Sequence, residues 1–234
     1  TEKGYELQKG KKGIIFGALD ERSIAWRIAL ACKREGGEFI LTNAPIALRL
    51  GALDALAEET GAEIMPCDVS KEEHVQKLMQ DTKEKLGKID FILHAIGMSP
   101  NIRKKKDYRE LNYDWYNQTL DISAISLHKV LSFAEREDVL NDGASVVALS
   151  YIGAQRIFSK YSDMNDAKAL LESIARNFGS RLADRGIRVN TVSQAPTKTS
   201  AGTGIKGFDG MYTFADMIAP LGNPTADECA DYCV

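Results

Sequence analysis

KGIIFGALDERSIAWRIALACKREG, residues 12–36 of a 234-residue chain, is the stretch on which the fold turns. It opens with a short apolar run, 12–16, that ends at Gly17. From Ser23 onward the apolar Ile24, Ala25, Ile28, Ala29 and Ala31 recur at helical spacing, with Ser23 as N-cap and Gly36 as the stop. Strand, glycine turn and helix N-terminus is how an α/β sheet holds a pyrophosphate, because backbone N–H groups and the helix dipole face the anion. The spaced G-x-G-x-x-G signature is absent: Gly13 and Gly17 stand alone, and Asp20 and Glu21 lie close to where the phosphates would sit.

Working outward, EFILT at 38–42 reads as a second strand. At its end stand Asn43 and Ala44, neither acidic nor basic, so the choice between a ribose 2′-hydroxyl and a 2′-phosphate stays open. A helix follows over 48–61. A third strand over 62–66 leads into Cys67-Asp68-Val69. Asp68 suits either the edge of an adenine or the N-cap of the helix 71–86. KIDFILH at 88–94 is the fourth strand, and the small Ala95-Ile96-Gly97 turn behind it permits close approach of a ligand. Strands and helices alternate with short connections. The expected fold is therefore α/β, a doubly wound parallel sheet with helices on both faces in three layers, αβα.

Residues 98–113 are polar and charged. Their run Arg103, Lys104, Lys105, Lys106 reads as a solvated loop or as a patch for an acidic carrier protein. A long helix is expected over 115–135, carrying Asp121-Ile122-Ser123. ASVVAL at 144–149 is a buried fifth strand, and it leads into LSYIGAQRIFSKYSDMNDAK at 149–168. Beyond that, Leu170, Leu171, Ile174, Phe178 and Leu182 keep helical spacing. Tyr161 and Lys168 are seven apart, two helical turns, and are expected on one face. An ammonium beside a phenol lowers its pKa, which makes a proton donor or oxyanion stabiliser near neutral pH. A sixth strand at 186–192 is followed by Gln194 to Ser200, where Thr197, Thr199 and Ser200 could bond a phosphate or a carboxamide. The segment 200–219 mixes four glycines with Phe208, Tyr212 and Phe214, which suggests a lid over an apolar site. A last helix starts after Asn223, with Thr225 as cap.

Composition narrows the class. A net charge of −3 argues against nucleic acid as the main partner, and an apolar fraction of 44% is ample for a core. No apolar run approaches a membrane span, and the N-terminal residues lack the apolar stretch of a signal peptide. Cys32, Cys67, Cys229 and Cys233 form no C-x-x-C pair and have no histidine partner, so they read as reduced thiols of a cytoplasmic protein rather than a metal site.

From about Gly10 to the end, the chain resembles the short-chain dehydrogenase/reductase superfamily. More closely it is similar to that superfamily's divergent branch, the enoyl-acyl-carrier-protein reductases of bacterial type II fatty-acid synthesis. GALDERSIAWRIA is similar to the branch's glycine turn followed by Ser-Ile-Ala; CDV, HAIG and DIS come in the branch's order; and SYIGAQR…Y…MNDAK is similar to its Tyr-x9-Tyr-x6-Lys signature. RVNTVSQAPTKTSAGTGIKGF resembles its strand, proline turn and lid. Ketoreductases and alcohol dehydrogenases of the superfamily carry Tyr-x3-Lys with a serine thirteen before the tyrosine, where this chain has Ala148.

The resemblance implies a Rossmann-like fold, one dinucleotide-binding catalytic domain over 1–234 with a lid at about 197–219. It also implies reduction of a trans-2-enoyl-acyl-carrier-protein thioester, with NADH favoured over NADPH. Catalysis would fall to Tyr151, Tyr161 and Lys168. Gly17, Ser23, Ile24, Ala44, Asp68, Val69, Ile96, Gly97, Lys168, Thr197, Thr199, Ser200 and Ala201 would hold the cofactor, and Ser99 and Tyr151 the substrate; no metal is implied. Homotetramers are usual in the branch. The alternatives are a ketone or alcohol reductase on the same fold and a non-catalytic NAD-binding relative. This chain departs from the branch at Ala44, where Gln is common, and at Thr197, usually aliphatic. It also reaches only to Val234, where relatives continue through a helix and a seventh strand.

Overall fold

The computed structural model describes residues 4–49, 51–203, 205 and 207–234; the side chains of Ser159 and Ala201 also lie outside the described residues. Six strands form one parallel sheet in the order β3-β2-β1-β4-β5-β6: β1 (Lys12–Phe16), β2 (Glu38–Thr42), β3 (Glu63–Ile64), β4 (Ile89–His94), β5 (Leu140–Ser150) and β6 (Arg188–Ser193). The helices are α1 (Ile24–Arg34), α2 (Pro45–Leu48), α3 (Ala52–Thr60), α4 (Glu72–Leu86), α5 (Pro100–Arg103), α6 (Tyr113–Leu120), α7 (Ser126–Arg136), α8 (Asp163–Arg181), α9 (Ser200–Thr203), α10 (Phe208–Ile218) and α11 (Ala226–Cys233).

The apolar strands work by period-two alternation. On β1, Ile14 and Phe16 join a core with Val75 and Leu78 of α4, Leu127 and Leu131 of α7 and Leu171 of α8. Ile15, between them, joins the opposite core with Ile28 of α1, Leu56 of α3 and Cys229 of α11. Both faces of the sheet are covered, which is the expected doubly wound arrangement. Strand order reverses at β1, which has β2 on one side and β4 on the other, the switch point at whose carboxyl ends doubly wound sheets bind their ligands.

Four local expectations need correction. The helix drawn over 48–61 is two helices, because Gly51 takes a left-handed φ of 71° between α2 and α3. The third strand shrinks to the two residues Glu63 and Ile64. Asp68 does not cap α4, whose N-cap is Lys71; its carboxylate instead accepts from the Ser70 amide at 3.0 Å and the Ser70 hydroxyl at 2.6 Å. The long helix over 115–135 is α6 and α7 joined through a π-turn, Asp121–Ile125, which falls on the Asp-Ile-Ser motif.

Candidate active site

Gly17 closes β1 with a φ of 96°, and a Cβ there would lie 1.9 Å from the carbonyl oxygen of Ala95 at the end of β4. Only glycine permits that approach. Ser23 sits at the N-cap of α1, yet its hydroxyl does not cap the helix. It donates to the Asp20 carbonyl at 2.8 Å and accepts from the Leu19 amide at 3.2 Å, folding the 19–23 loop. The first-turn amides of α1, from Ile24 on, are therefore left without a side-chain cap, and no acidic residue sits in that turn. Uncapped amides at the positive end of a helix make an anion site. Asn43 ties the next strand to the same loop. Its amide donates to the Ala18 carbonyl at 2.8 Å and its oxygen accepts from the Ala44 amide at 2.8 Å.

Val69 is buried and Asp68 half-buried beyond the end of β3. The ammonium of Lys129 reaches the Ser70 carbonyl at 3.0 Å and Asp121 at 2.7 Å, linking that loop to the π-turn. On the other side of β1, Ile96 is half-buried and Gly97 exposed, and a Cβ on Gly97 would meet Met164 at 3.3 Å. Ser123 of the π-turn holds this segment by accepting from the Met98 amide at 3.0 Å and donating to its carbonyl at 3.1 Å. His94 is fully buried with Nε2 2.7 Å from the Ser126 hydroxyl. Ser126 donates to the Ile122 carbonyl at 2.7 Å, so the imidazole proton sits on Nε2. Burial, with the Lys168 charge second, pushes His94 down to about 3, and the ring stays neutral.

The tyrosines and the lysine do not share a helix. Tyr161 ends a 3₁₀ turn, Ser159–Tyr161, and Ser162, at a φ of 46°, breaks the chain before α8 begins at Asp163. Tyr151 follows β5 directly, and its ring meets that of Tyr161 edge-on at 4.9 Å. Lys168, on α8, is buried, and its ammonium donates to the Leu149 carbonyl at 2.7 Å. Burial draws Lys168 down to about 8, with Glu172 opposing the shift. The Tyr161 phenol is raised rather than lowered, first by burial and then by Tyr151; it is a neutral donor, and none of the described residues hydrogen-bonds its hydroxyl. Tyr151 is pushed up to about 12 by burial alone, and its hydroxyl lies 3.3 Å from the Met211 sulfur of α10.

The sequence reading missed the residues beneath this group. Asp163 is fully buried and accepts from Ser99 at 2.7 Å, Asn101 at 3.0 Å and Thr119 at 3.0 Å. Ser99 also caps α5 by accepting from the Ile102 amide at 3.0 Å. Its hydroxyl is thus engaged on both sides, donating to Asp163 and accepting from Ile102. Asp166 accepts from the hydroxyls of Tyr108 at 2.9 Å and Tyr116 at 3.0 Å. Behind Lys168, Glu172 accepts from Ser150 at 2.7 Å.

The segment after β6 lies against the β1–α1 loop. Thr197 donates to the Ala195 carbonyl at 3.2 Å, and Thr199 caps α9 by accepting from Gly202 at 2.9 Å. Ser200 donates to Asp20, joining α9 to the β1–α1 loop. Ala201's side chain lies outside the described residues. Lys198 stands over the Tyr212 ring at 4.7 Å. Among the described residues there is no grouping of three or more metal-ligating side chains, and no helix is long and apolar enough to cross a membrane. The four cysteines are free thiols.

The family profile described as enoyl-(acyl carrier protein) reductase matches residues 17–234. The chain is 39% identical over 216 residues to the enoyl-(acyl-carrier-protein) reductase (NADH) 1 of Rhizobium meliloti, covering 92% of this chain and 78% of that one. It superposes on the FabI–NADH complex from Alistipes finegoldii with a TM-score of 0.96 at 51% identity, over 98% of this chain and 82% of that one. It also superposes on the enoyl-(acyl-carrier-protein) reductase (NADH) of Aquifex aeolicus with a TM-score of 0.90 at 31% identity, over 97% and 89%. The chain belongs to the enoyl-(acyl carrier protein) reductase family.

Proposed function

We propose that this chain reduces trans-2-enoyl-acyl-carrier-protein to the saturated acyl thioester with NADH, the last step of the fatty-acid elongation cycle. The carrying observation is the edge-on pair Tyr151–Tyr161, beside a strand end whose Leu149 carbonyl holds the buried Lys168, in a chain of this family. The residues present fit a dinucleotide: Gly17 excludes a Cβ, the α1 amides lack a side-chain cap, and both lie at the sheet's switch point. When bound, NADH supplies the hydride that adds to the β-carbon of the thioester.

The chain's own residues do the rest. Gly17, Ser23 and Ile24 cradle the pyrophosphate; Ala44, Asp68 and Val69 surround the adenosine; Ile96 and Gly97 back the nicotinamide; and Thr197, Thr199, Ser200 and Ala201 close over it. Lys168 holds the nicotinamide ribose and keeps positive potential over the site. Tyr161 donates a hydrogen bond to the thioester oxygen as enolate charge develops there. Tyr151 lines the acyl pocket against Met211, and Ser99 lies near the substrate thioester. The Asn43 side chain is already committed to Ala18 and Ala44, and no basic residue stands between Thr42 and Leu48, which favours NADH over its 2′-phosphorylated counterpart. The family resemblance supports a cytoplasmic homotetramer, with residues 1–234 as one catalytic domain.

The test is loss of reduced-nicotinamide absorbance with a crotonyl thioester, run with NADH and NADPH in parallel. Consumption that requires the thioester and is faster with NADH is expected; no consumption by protein that binds NADH would overturn the reading. Lys168→Ala should weaken NADH binding about tenfold or more, as for loss of a buried charge-assisted hydrogen bond. Because burial disfavours the ammonium, the charged fraction of Lys168 falls as pH rises through about 8, and wild-type NADH affinity should fall with it. Fluorescence titration across that range checks both; a pH-independent affinity would refute the assignment of Lys168.

A further inference from the structure

Arg103, Lys104, Lys105, Lys106 and Arg109 are all exposed, from the last residue of α5 to the 3₁₀ turn Tyr108–Glu110, in a chain whose net charge is −3. Arg109 pairs with Asp107 at 2.9 Å, but among the described residues no carboxylate forms an ion pair with the other four or with Lys160. Lys105, Lys106, Arg109 and Lys160 line one cavity of about 480 Å³ with Ile157, Ser162 and two carboxylates, Asp107, paired with Arg109, and Asp166, which accepts from Tyr108 and Tyr116; the four cations outnumber them. Ser162 is the residue after Tyr161, so the basic cavity and the Tyr151–Tyr161 site share the 159–162 turn as a wall. On the other side, a Cβ on Gly207 would lie 3.7 Å from Cγ of Lys160, which brings the cavity to the start of α10. Ile157 is 86% exposed and offers an apolar contact within the charged rim.

The backbone adds a second observation. At the end of α5 the Lys105 amide bonds the Ile102 carbonyl at 3.0 Å and the Lys106 amide bonds the Asn101 carbonyl at 3.0 Å. That is the paired closure in which glycine normally occupies the left-handed position. Here the residue at that position is Lys105, at a φ of 54°. A lysine stands where backbone preference favours glycine, so the fold carries strain to present a charge at this point.

We infer that this basic cavity is the docking surface for the acidic face of the carrier protein, which it holds so that the enoyl chain enters beside Tyr161. The inference rests on the reduction proposed above and names the partner surface of that same site. Charge complementarity at a rim acts mainly on encounter rate and is screened by salt. The test compares a crotonyl thioester on acyl carrier protein with the same acyl group on N-acetylcysteamine, for wild type, Lys105→Glu/Lys106→Glu and Lys105→Gly.

Charge reversal should raise KM for the carrier-borne substrate about tenfold at low salt, with kcat and the small thioester unchanged. In wild type the carrier KM should rise between about 0.05 and 0.3 M salt, and in the reversed variant it should not. Lys105→Gly should also raise the carrier KM while leaving the thermal midpoint equal or higher, because the turn relaxes. A carrier KM unaffected by reversal, or an equal change with both thioesters, would overturn the docking surface. If wild type consumed NADH with neither thioester, the proposed reaction would fail on its own. Anisotropy of labelled carrier protein would then still decide the docking: loss of binding on charge reversal supports it, and equal binding refutes it.

Discussion

Tyr161→Phe should lower kcat about 100- to 1,000-fold, the usual consequence of removing one oxyanion donor, with the NADH dissociation constant unchanged. The ring would stay in place, because its edge-on contact with Tyr151 at 4.9 Å involves no hydroxyl. The hydroxyl has no hydrogen-bond partner among the described residues, so its loss strands no buried group. Burial raises the Tyr161 phenol above its ordinary value, so the proton is retained throughout the neutral range and the group acts as a donor. Its ionisation should therefore cause no loss of activity below pH about 10. Steady-state turnover with crotonyl thioester, set beside a fluorescence titration with NADH, measures both halves. Turnover near that of wild type would remove Tyr161 from the chemistry, and a loss of NADH affinity equal to that of Lys168→Ala would erase the division of roles.

Asp163→Ala should cost about 3 kcal/mol or more of stability, since it leaves the buried Ser99 hydroxyl and an Asn101 amide proton without their acceptor, while Thr119 can still donate to the Trp115 carbonyl at 2.9 Å. Ser99, Asn101 and Thr119 all converge on this carboxylate from segments distant in sequence. For a chain of this length that corresponds to a fall in thermal midpoint of about 6–12 °C. The damage should reach the site as well, because α5, α6 and the start of α8 all meet at this carboxylate. Asp163→Asn, which keeps acceptor capacity on one oxygen, should lose clearly less. Thermal unfolding of the two variants decides it; an alanine variant that melts with wild type would show that water or rearranged side chains satisfy those donors.

The sheet was legible because its determinants are local. Apolar runs such as KGIIF, EFILT and KIDFILH, each bounded by breakers, name strands directly, and β1, β2 and β4 fall on them. The Gly17 turn was legible for the same reason. The site's support was not, since its partners are tertiary. Asp163 and Asp166 look like ordinary first-turn acids of a helix, and nothing near them points to residues 99, 101, 108, 116 or 119. Seven-residue spacing suggested that Tyr161 and Lys168 ride one helix, but the left-handed Ser162 between them cancels that inference. The lowered phenol pKa failed with it. Lys168 directs one of its three N–H donors to the Leu149 carbonyl, and burial dominates at Tyr161.

The π-turn at Asp121–Ile125 can be read as one residue too many in an otherwise continuous helix from Tyr113 to Arg136. Ahead of the turn, Thr119 reaches Asp163; behind it, Ser126 reaches His94 and Lys129 reaches the loop at Ser70. Deleting the surplus residue would restore regular helical hydrogen bonding but would rotate one half against the other by about 100°. The two sets of contacts could then no longer be made together. The irregularity therefore acts as a phase adjuster. It lets a single rod address the floor under the tyrosines with one end and the loop beyond β3 with the other, which no ideal helix of the same length could do.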